Sequence, residues 1–200
     1  VLANALEAFR PSGAVGIGHT RWSTHGPPNN ENAHPHTDCT GEISVVHNGI
    51  VENHATLREE LRTRGHTFTS DTDTEVIPHL VEMYRSEGLS PEDAFRATIE
   101  RLEGRFAIAM VVDDDETILA ARDGSPLVVG VGEDRRFLAS DVPSFLEHTN
   151  RVAFLEDGDV VRLTADDHEV TDLGGNPVDR PVQTVDWQAE DAQRDGFDHY

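Results

Sequence analysis

Between residues 106 and 173 the sequence is a string of short apolar runs cut apart by aspartate and glycine. FAIAMVV (106–112), TILAAR (117–122), LVVGV (127–131) and RFLAS (136–140) come first, and further runs follow at 151–155, 159–163 and 168–173. Short apolar runs of this kind, bounded by turn formers, are strands. The helical patterns lie in a block ahead of them. Blocks of helices and strands, rather than strict alternation, specify an α+β fold and argue against a doubly wound parallel sheet.

Leu2, Leu6 and Phe9 stand at helical spacing, so the chain opens within or at the end of a helix. AVGIGHT (14–20) and EISVVHNG (42–49) read as strands, the second ending in an Asn48-Gly49 turn. A helix is expected from an Asn53 cap to Arg64, with Gly65 as its stop and Leu57 and Leu61 as its apolar stripe. A second is expected from about Thr74 to Gly88, burying Val76, Ile77, Leu80, Val81 and Tyr84, with a slight kink from Pro78. A third begins at SPED, where Ser90 caps and Pro91 takes the first helical position, and runs through Phe95, Ile99 and Leu102 to Gly104. From Asn176 on the chain is expected to be polar and irregular. It shows no internal repeat.

Two hundred residues suffice for one domain with a real core. Cys39 is the only cysteine, which excludes an internal disulfide and fits a reducing, cytoplasmic location. No apolar run approaches the roughly 18 residues that span a bilayer, and VLANALEAFR lacks the apolar core of a secretion signal. Neither a membrane nor a nucleic acid is an expected partner. Thirty-eight acids face 16 basic residues, all of them arginine, for a net charge of −22 that repels phosphate backbones. Because the acids are interspersed with patterned apolar runs, the charge points to adaptation to high salt rather than to disorder.

Four polar clusters interrupt the pattern. GHTRWSTHG (18–26) puts Arg21, whose planar fork suits a carboxylate, on a glycine-bounded loop with Trp22, Thr24 and His25; a plain solvated loop would read the same. In VVHNGI (45–50), Asn48-Gly49 is either a simple turn or a pair of donors able to converge on an oxyanion. SDTDTEV (70–76) reads as helix capping, while Asp73 could also hold an ammonium group. Finally come His25, His34, His36 and Cys39, with His19 and His47 nearby: His34 and His36 followed by Cys39 could ligate zinc, or Cys39 could form a Cys-His nucleophile pair. Their spacing matches no common structural zinc pattern and no second cysteine exists, so neither a metal nor a cofactor is expected.

Taken together, HTRWSTHG, NAHPH, VVHNGIVEN, LREEL, SDTDTEVI, AARDGSPLVVG and FLEDGDV, in that order, resemble the glutaminase domain of the glutamine–fructose-6-phosphate aminotransferase (glucosamine-6-phosphate synthase) family. The resemblance runs from about Gly13 to Tyr200. It implies a sandwich of the N-terminal nucleophile hydrolase type, two antiparallel sheets face to face with helices outside. It also implies hydrolysis of glutamine to glutamate and ammonia, and passage of the ammonia to sugar-phosphate isomerase domains. On this resemblance Arg21 binds the glutamine α-carboxylate and Asp73 its α-ammonium, Asn48 and Gly49 form the oxyanion hole, and Trp22, Thr24 and His25 lie on a loop that closes over the substrate. The full-length enzyme is implied to be a homodimer formed largely through the isomerase half.

The family's nucleophile is an N-terminal cysteine whose own α-amine serves as base. Residue 1 here is Val1. The resemblance therefore implies a single amidotransferase domain shortened at both ends, with its first strand absent, a sheet edge left open, and no glutaminase activity as written. Cys39 is expected to be a bystander. The alternatives are another amidotransferase of the same fold, such as one acting on phosphoribosyl pyrophosphate, a nucleophile-less glutamine-binding regulatory module, and a zinc protein built on His34, His36 and Cys39.

Overall fold

The computed structural model describes residues 13–22, 25–113 and 115–186. The helix expected around Leu2–Phe9, and Thr24, lie outside them. Two antiparallel sheets form an α+β sandwich. The first, in the order β1-β2-β3-β4-β8-β9, joins β1 (His36–Thr37), β2 (Ile43–Val51), β3 (Gly104–Val112), β4 (Ile118–Asp123), β8 (Val160–Leu163) and β9 (His168–Thr171). The second, in the order β10-β7-β5-β6, joins β5 (Val128–Val131), β6 (Arg136–Ala139), β7 (Arg151–Phe154) and β10 (Gln183–Thr184). Three helices, α1 (His54–Thr63), α2 (Val76–Ser86) and α3 (Pro91–Ile99), cover the outer face of the first sheet.

Alternation along the strands divides the apolar residues between two faces. Ile43, Val45 and Val51 of β2 and Ile108 and Met110 of β3 pack against Leu61, Ile77, Leu80 and Phe95 of the helices. Val46, Ala107, Ala109 and Ala120 face Val129, Val131 and Ala153 of the second sheet. The small alanines of β3 and β4 let the two sheets approach closely. No helix among the described residues is long and apolar enough to cross a membrane.

Several expectations need correction. The segment 14–20 is not a strand: it has no ladder partner among the described residues and is mostly exposed. Its two glycines deny it the side chains a strand would pack, and only Ile17 reaches the inter-sheet core. Asn48-Gly49 is not a turn. β2 runs on to Val51, pairing Asn48 with Ala107 and Gly49 with Phe106. Gly49 has φ 140°, and a Cβ there would lie 2.0 Å from the Arg105 carbonyl oxygen, so glycine serves a close approach inside the ladder. Gly104, φ 126°, does the same against the Ile50 carbonyl at 2.2 Å and opens β3, which stops α3 at Ile99 well short of Leu102. Finally, the tail beyond Asn176 contributes β10.

Ser90 caps α3 as expected, accepting from Asp93 N at 3.1 Å. The first two helices differ. Asn53 stands at the head of α1 but its side chain donates to the Arg101 carbonyl at 2.8 Å, tying α1 to the approach to β3. The start of α2 has no side-chain cap at all, and the helix runs unbroken through Pro78, whose missing N–H falls within the first turn and removes no intrahelical bond.

Candidate functional site

β2 organises the site through the parity of its hydrogen bonds. Glu52 N donates to the Glu103 carbonyl and Asp113 N to the Glu42 carbonyl, each at 2.8 Å, so even-numbered residues of this strand bond to β3. The odd-numbered N–H groups point to the other edge, where β1 pairs only Ser44 and Val45. Side chains meet them instead. Ile43 N donates to Asp38 Oδ1 at 2.9 Å, His47 N to His34 Nδ1 at 3.4 Å, and Val51 N to Asp73 Oδ2 at 2.7 Å. The Gly49 N–H lies on this same edge, midway between His47 and Val51, without a side chain to screen it.

A cleft of about 490 Å³ opens along that edge, lined among others by Arg21, Trp22, Asn48, Gly49 and Asp73, with Ser140 reaching in from the end of β6. Asp73 is 3% exposed. The segment SDTDTEV therefore does not cap α2; its polar groups are spent on the cleft and on holding it. Asp73 accepts from β2, Thr74 Oγ1 lies 2.9 Å from His47 Nδ1, and Thr72 Oγ1 lies 3.0 Å from His36 Nε2. Glu75 turns back to accept from Thr69 N at 2.7 Å and Ser70 N at 2.9 Å, and Arg58 donates to the Ser70 and Thr72 carbonyls. A loop so braced holds its carboxylate in place without help from the substrate.

Arg21 donates through its two terminal nitrogens to the carbonyls of His25, Gly26 and Pro27. Asn32 links this turn to the Asp73 loop, donating to the Pro27 carbonyl at 3.0 Å and accepting from Asp71 N at 2.9 Å. His25 Nδ1 lies 3.5 Å from Asp73 Oδ1. Trp22, 88% exposed, stands at the rim. Thr24 lies outside the described residues.

Four histidines floor the cleft and its surroundings. His19 and His34 stack with ring centroids 4.5 Å apart, and His34 meets His36 edge-on at 5.0 Å. Burial, then the neighbouring rings of His19, His36 and His47 and the Arg21 guanidinium, push His34 down to about 3. Burial takes His47 to about 4 against the opposing pull of Asp73. Burial also lowers His19 and His36. All four are therefore neutral at physiological pH, and the charges lining the cleft are the cation of Arg21 and the anion of Asp73.

The model of the glutamine amidotransferase domain family matches residues 19–147. The chain belongs to this family. Over 94% of its length this amidotransferase chain is 53% identical to a glutamine–fructose-6-phosphate aminotransferase [isomerizing] of Methanothermobacter thermautotrophicus, covering 32% of that protein. It is 52% identical over its whole length to the Thermus thermophilus enzyme of the same name, covering 33% of it, and 51% identical over 96% to that of Halobacterium salinarum, covering 31%. It thus spans about a third of the length of these relatives. Among solved structures, a glutamine phosphoribosylpyrophosphate amidotransferase of B. subtilis superposes with a TM-score of 0.66 at 24% identity, over 80% of this chain and 35% of the other. The fold is that of the N-terminal nucleophile amidotransferases.

The structure brings Arg21, Trp22, Asn48, Gly49 and Asp73 to one cleft and His25 to its edge. It separates His34 and His36 from Cys39, which does not line the cleft and turns instead toward His66, His79 and Glu82. Sequence reasoning missed the supporting residues of the amidotransferase cleft: Asn32, Arg58, Thr74 and Glu75. Asn32 is the Asn of NAHPH, and a 1% exposed asparagine among turn formers carries no signal of its burial. The acids and hydroxyls of 70–75 look like ordinary capping until the helix start is known.

Proposed function

We propose that this chain is the glutamine-hydrolysing part of an isomerising glutamine–fructose-6-phosphate aminotransferase, which passes ammonia from glutamine to fructose 6-phosphate and yields glucosamine 6-phosphate and glutamate. The carrying observation is the pairing of one cation, Arg21, with one buried anion, Asp73, across a cleft whose histidines are neutral. A free amino acid presents a carboxylate and an ammonium on one carbon. The planar fork of Arg21 suits the first and Asp73 the second, and the bond from Val51 N fixes the aspartate in place. Arg21 Nη groups now held by the loop carbonyls exchange part of that set for the substrate carboxylate, so ligand binding and loop position are linked.

The γ-amide then extends toward Asn48 and Gly49. The Gly49 N–H on the unpaired edge, joined by the Asn48 side-chain amide, offers two donors to the oxyanion of a tetrahedral intermediate, an arrangement worth roughly 3–4 kcal/mol per donor in comparable sites. The nucleophile is assigned to a cysteine preceding Val1 and its α-amine, because Cys39 faces away from the cleft. Trp22 and His25 close over the substrate and shield the ammonia. The isomerase domains follow in the same polypeptide, which acts as a homodimer in the cytoplasm.

The test uses the full-length protein supplied with glutamine and either fructose 6-phosphate or phosphoribosyl pyrophosphate. Glucosamine 6-phosphate formed in step with glutamate is the expected result; nitrogen transfer to the phosphoribosyl acceptor instead refutes the assignment. Peptide mapping after labelling with an electrophilic glutamine analogue locates the nucleophile, and an adduct on Cys39 would overturn its placement.

A further inference from the structure

Outside the cleft, three segments distant in sequence converge four metal-ligating side chains. Cys39 lies in the turn between β1 and β2, His66 just beyond the end of α1, and His79 and Glu82 three residues apart on α2. Their ligand atoms all lie within 4.8 Å of one another. Cys39 Sγ is 3.7 Å from His66 Nδ1 and 3.5 Å from His79 Nδ1. The two Nδ1 atoms are 3.3 Å apart, and Glu82 Oε2 is 2.8 Å from His66 Nδ1 and 3.3 Å from His79 Nδ1.

These are five of the six edges of a coordination tetrahedron, and the sixth, from Cys39 Sγ to the Glu82 carboxylate, is within 4.8 Å. With zinc–sulfur bonds of about 2.3 Å and zinc–nitrogen or –oxygen bonds of about 2.0–2.1 Å, tetrahedral angles require S···N edges of about 3.5–3.6 Å and N···N and N···O edges of about 3.3–3.4 Å. Four of the five distances agree to about 0.1 Å; the fifth, His66 to Glu82, is a hydrogen-bond length that must open by about 0.5 Å around an ion.

We propose that Cys39, His66, His79 and Glu82 bind a divalent transition-metal ion, zinc by the chemistry of the set, as a structural staple. A thiolate, two imidazoles and a carboxylate are zinc's own ligand types, and together with the ion they sum to zero charge. Four protein ligands leave no open position for catalysis. His79 is 1% exposed, and its other nitrogen, Nε2, faces Glu75 Oε1 at 3.9 Å, the carboxylate-behind-histidine arrangement that orients metal-bound imidazoles. Cys39 is exposed, which gives an ion its way in. The staple would lock the β1–β2 turn and the segment after α1 onto α2, and through Glu75 it would brace Thr69 and Ser70 ahead of Asp73. The expectation of no metal, and the alternative set of His34, His36 and Cys39, both give way to this cluster.

The full-length protein, stripped by chelator dialysis, is titrated with zinc against a chromophoric competitor and with cobalt by absorption spectroscopy. One equivalent of zinc per chain, absent from the variants, and a thiolate-to-cobalt charge-transfer band are expected. Cys39→Ser, a mild change at an exposed position, and His66→Ala should each weaken zinc binding by at least about 100-fold and abolish or alter the band, with circular dichroism unchanged. His36→Gln should bind as the parent does. Equal zinc uptake by the parent and Cys39→Ser, or a cobalt spectrum without the thiolate band, overturns the proposal.

Discussion

Replacing Gly49 by alanine tests the geometry of β2 most directly. The added Cβ meets the Arg105 carbonyl oxygen at 2.0 Å and Phe106 Cα at 2.8 Å, both backbone atoms that cannot rotate away. The residue also holds φ at 140°, where a side chain adds strain of roughly 1–3 kcal/mol. Shifting a packed backbone adds about another 1–3 kcal/mol, for a total of roughly 2–6 kcal/mol out of the 5–15 kcal/mol typical of a domain. Gly88→Ala is the control, since Gly88 has φ 99° but nothing within 4 Å of its added Cβ. It should cost only about 1–2 kcal/mol. Urea unfolding of the full-length protein, followed by circular dichroism, reads the difference as a shift in midpoint at constant slope. Equal destabilisation by the two substitutions would refute the close approach of β2 to β3 at this point.

Asp73→Asn keeps an acceptor for Val51 N but removes the charge, so the KM for glutamine should rise about 10–100-fold with stability changed by less than about 1 kcal/mol; glutamate release by the full-length protein measures it. His47 is held near 4, below its unfolded value, so the unfolded chain binds the extra proton and stability is complete above about pH 6.5 and declines as pH falls toward 4. The loss at about pH 5 is roughly 2 kcal/mol, and His47→Gln should flatten that part of a urea-unfolding pH series. With a net charge of −22, the melting temperature should rise between about 0.1 M and 3 M KCl, read by scanning calorimetry.

The β-rich second half was legible because each run is short, apolar and closed by Asp or Gly, and the strands at 106–112, 117–122 and 160–163 appear nearly where the pattern puts them. Ser90-Pro91 located the start of α3 because capping is a local interaction. What failed was what depends on partners far along the chain. Asn48-Gly49 carries a turn signature, yet Phe106 opposite it fixes an extended strand. Acids and hydroxyls before α2 look like caps, yet β2 and His47 claim them. Arg21, Asn48, Gly49 and Asp73 stand in motifs whose order is recognisable, whereas Asn32 and Glu75 owe their positions to burial that no local pattern announces. Cys39 drew attention as the lone thiol, but its neighbours His66, His79 and Glu82 lie 27 to 43 residues away.

An extended strand with unpaired N–H groups is ordinarily a template on which a second chain can add itself, the first step toward aggregation. β2 is protected from that fate by the side chains that dress its edge: Asp38 on Ile43, His34 on His47 and Asp73 on Val51. An incoming strand would have to displace an aspartate or a histidine at every fourth residue, and β1 at Val45 between the first two. The interruption at Gly49 is one residue wide, too narrow for a strand to register against and wide enough for one oxygen atom. The same spacing that suits a small ligand thus also keeps the strand from recruiting copies of itself.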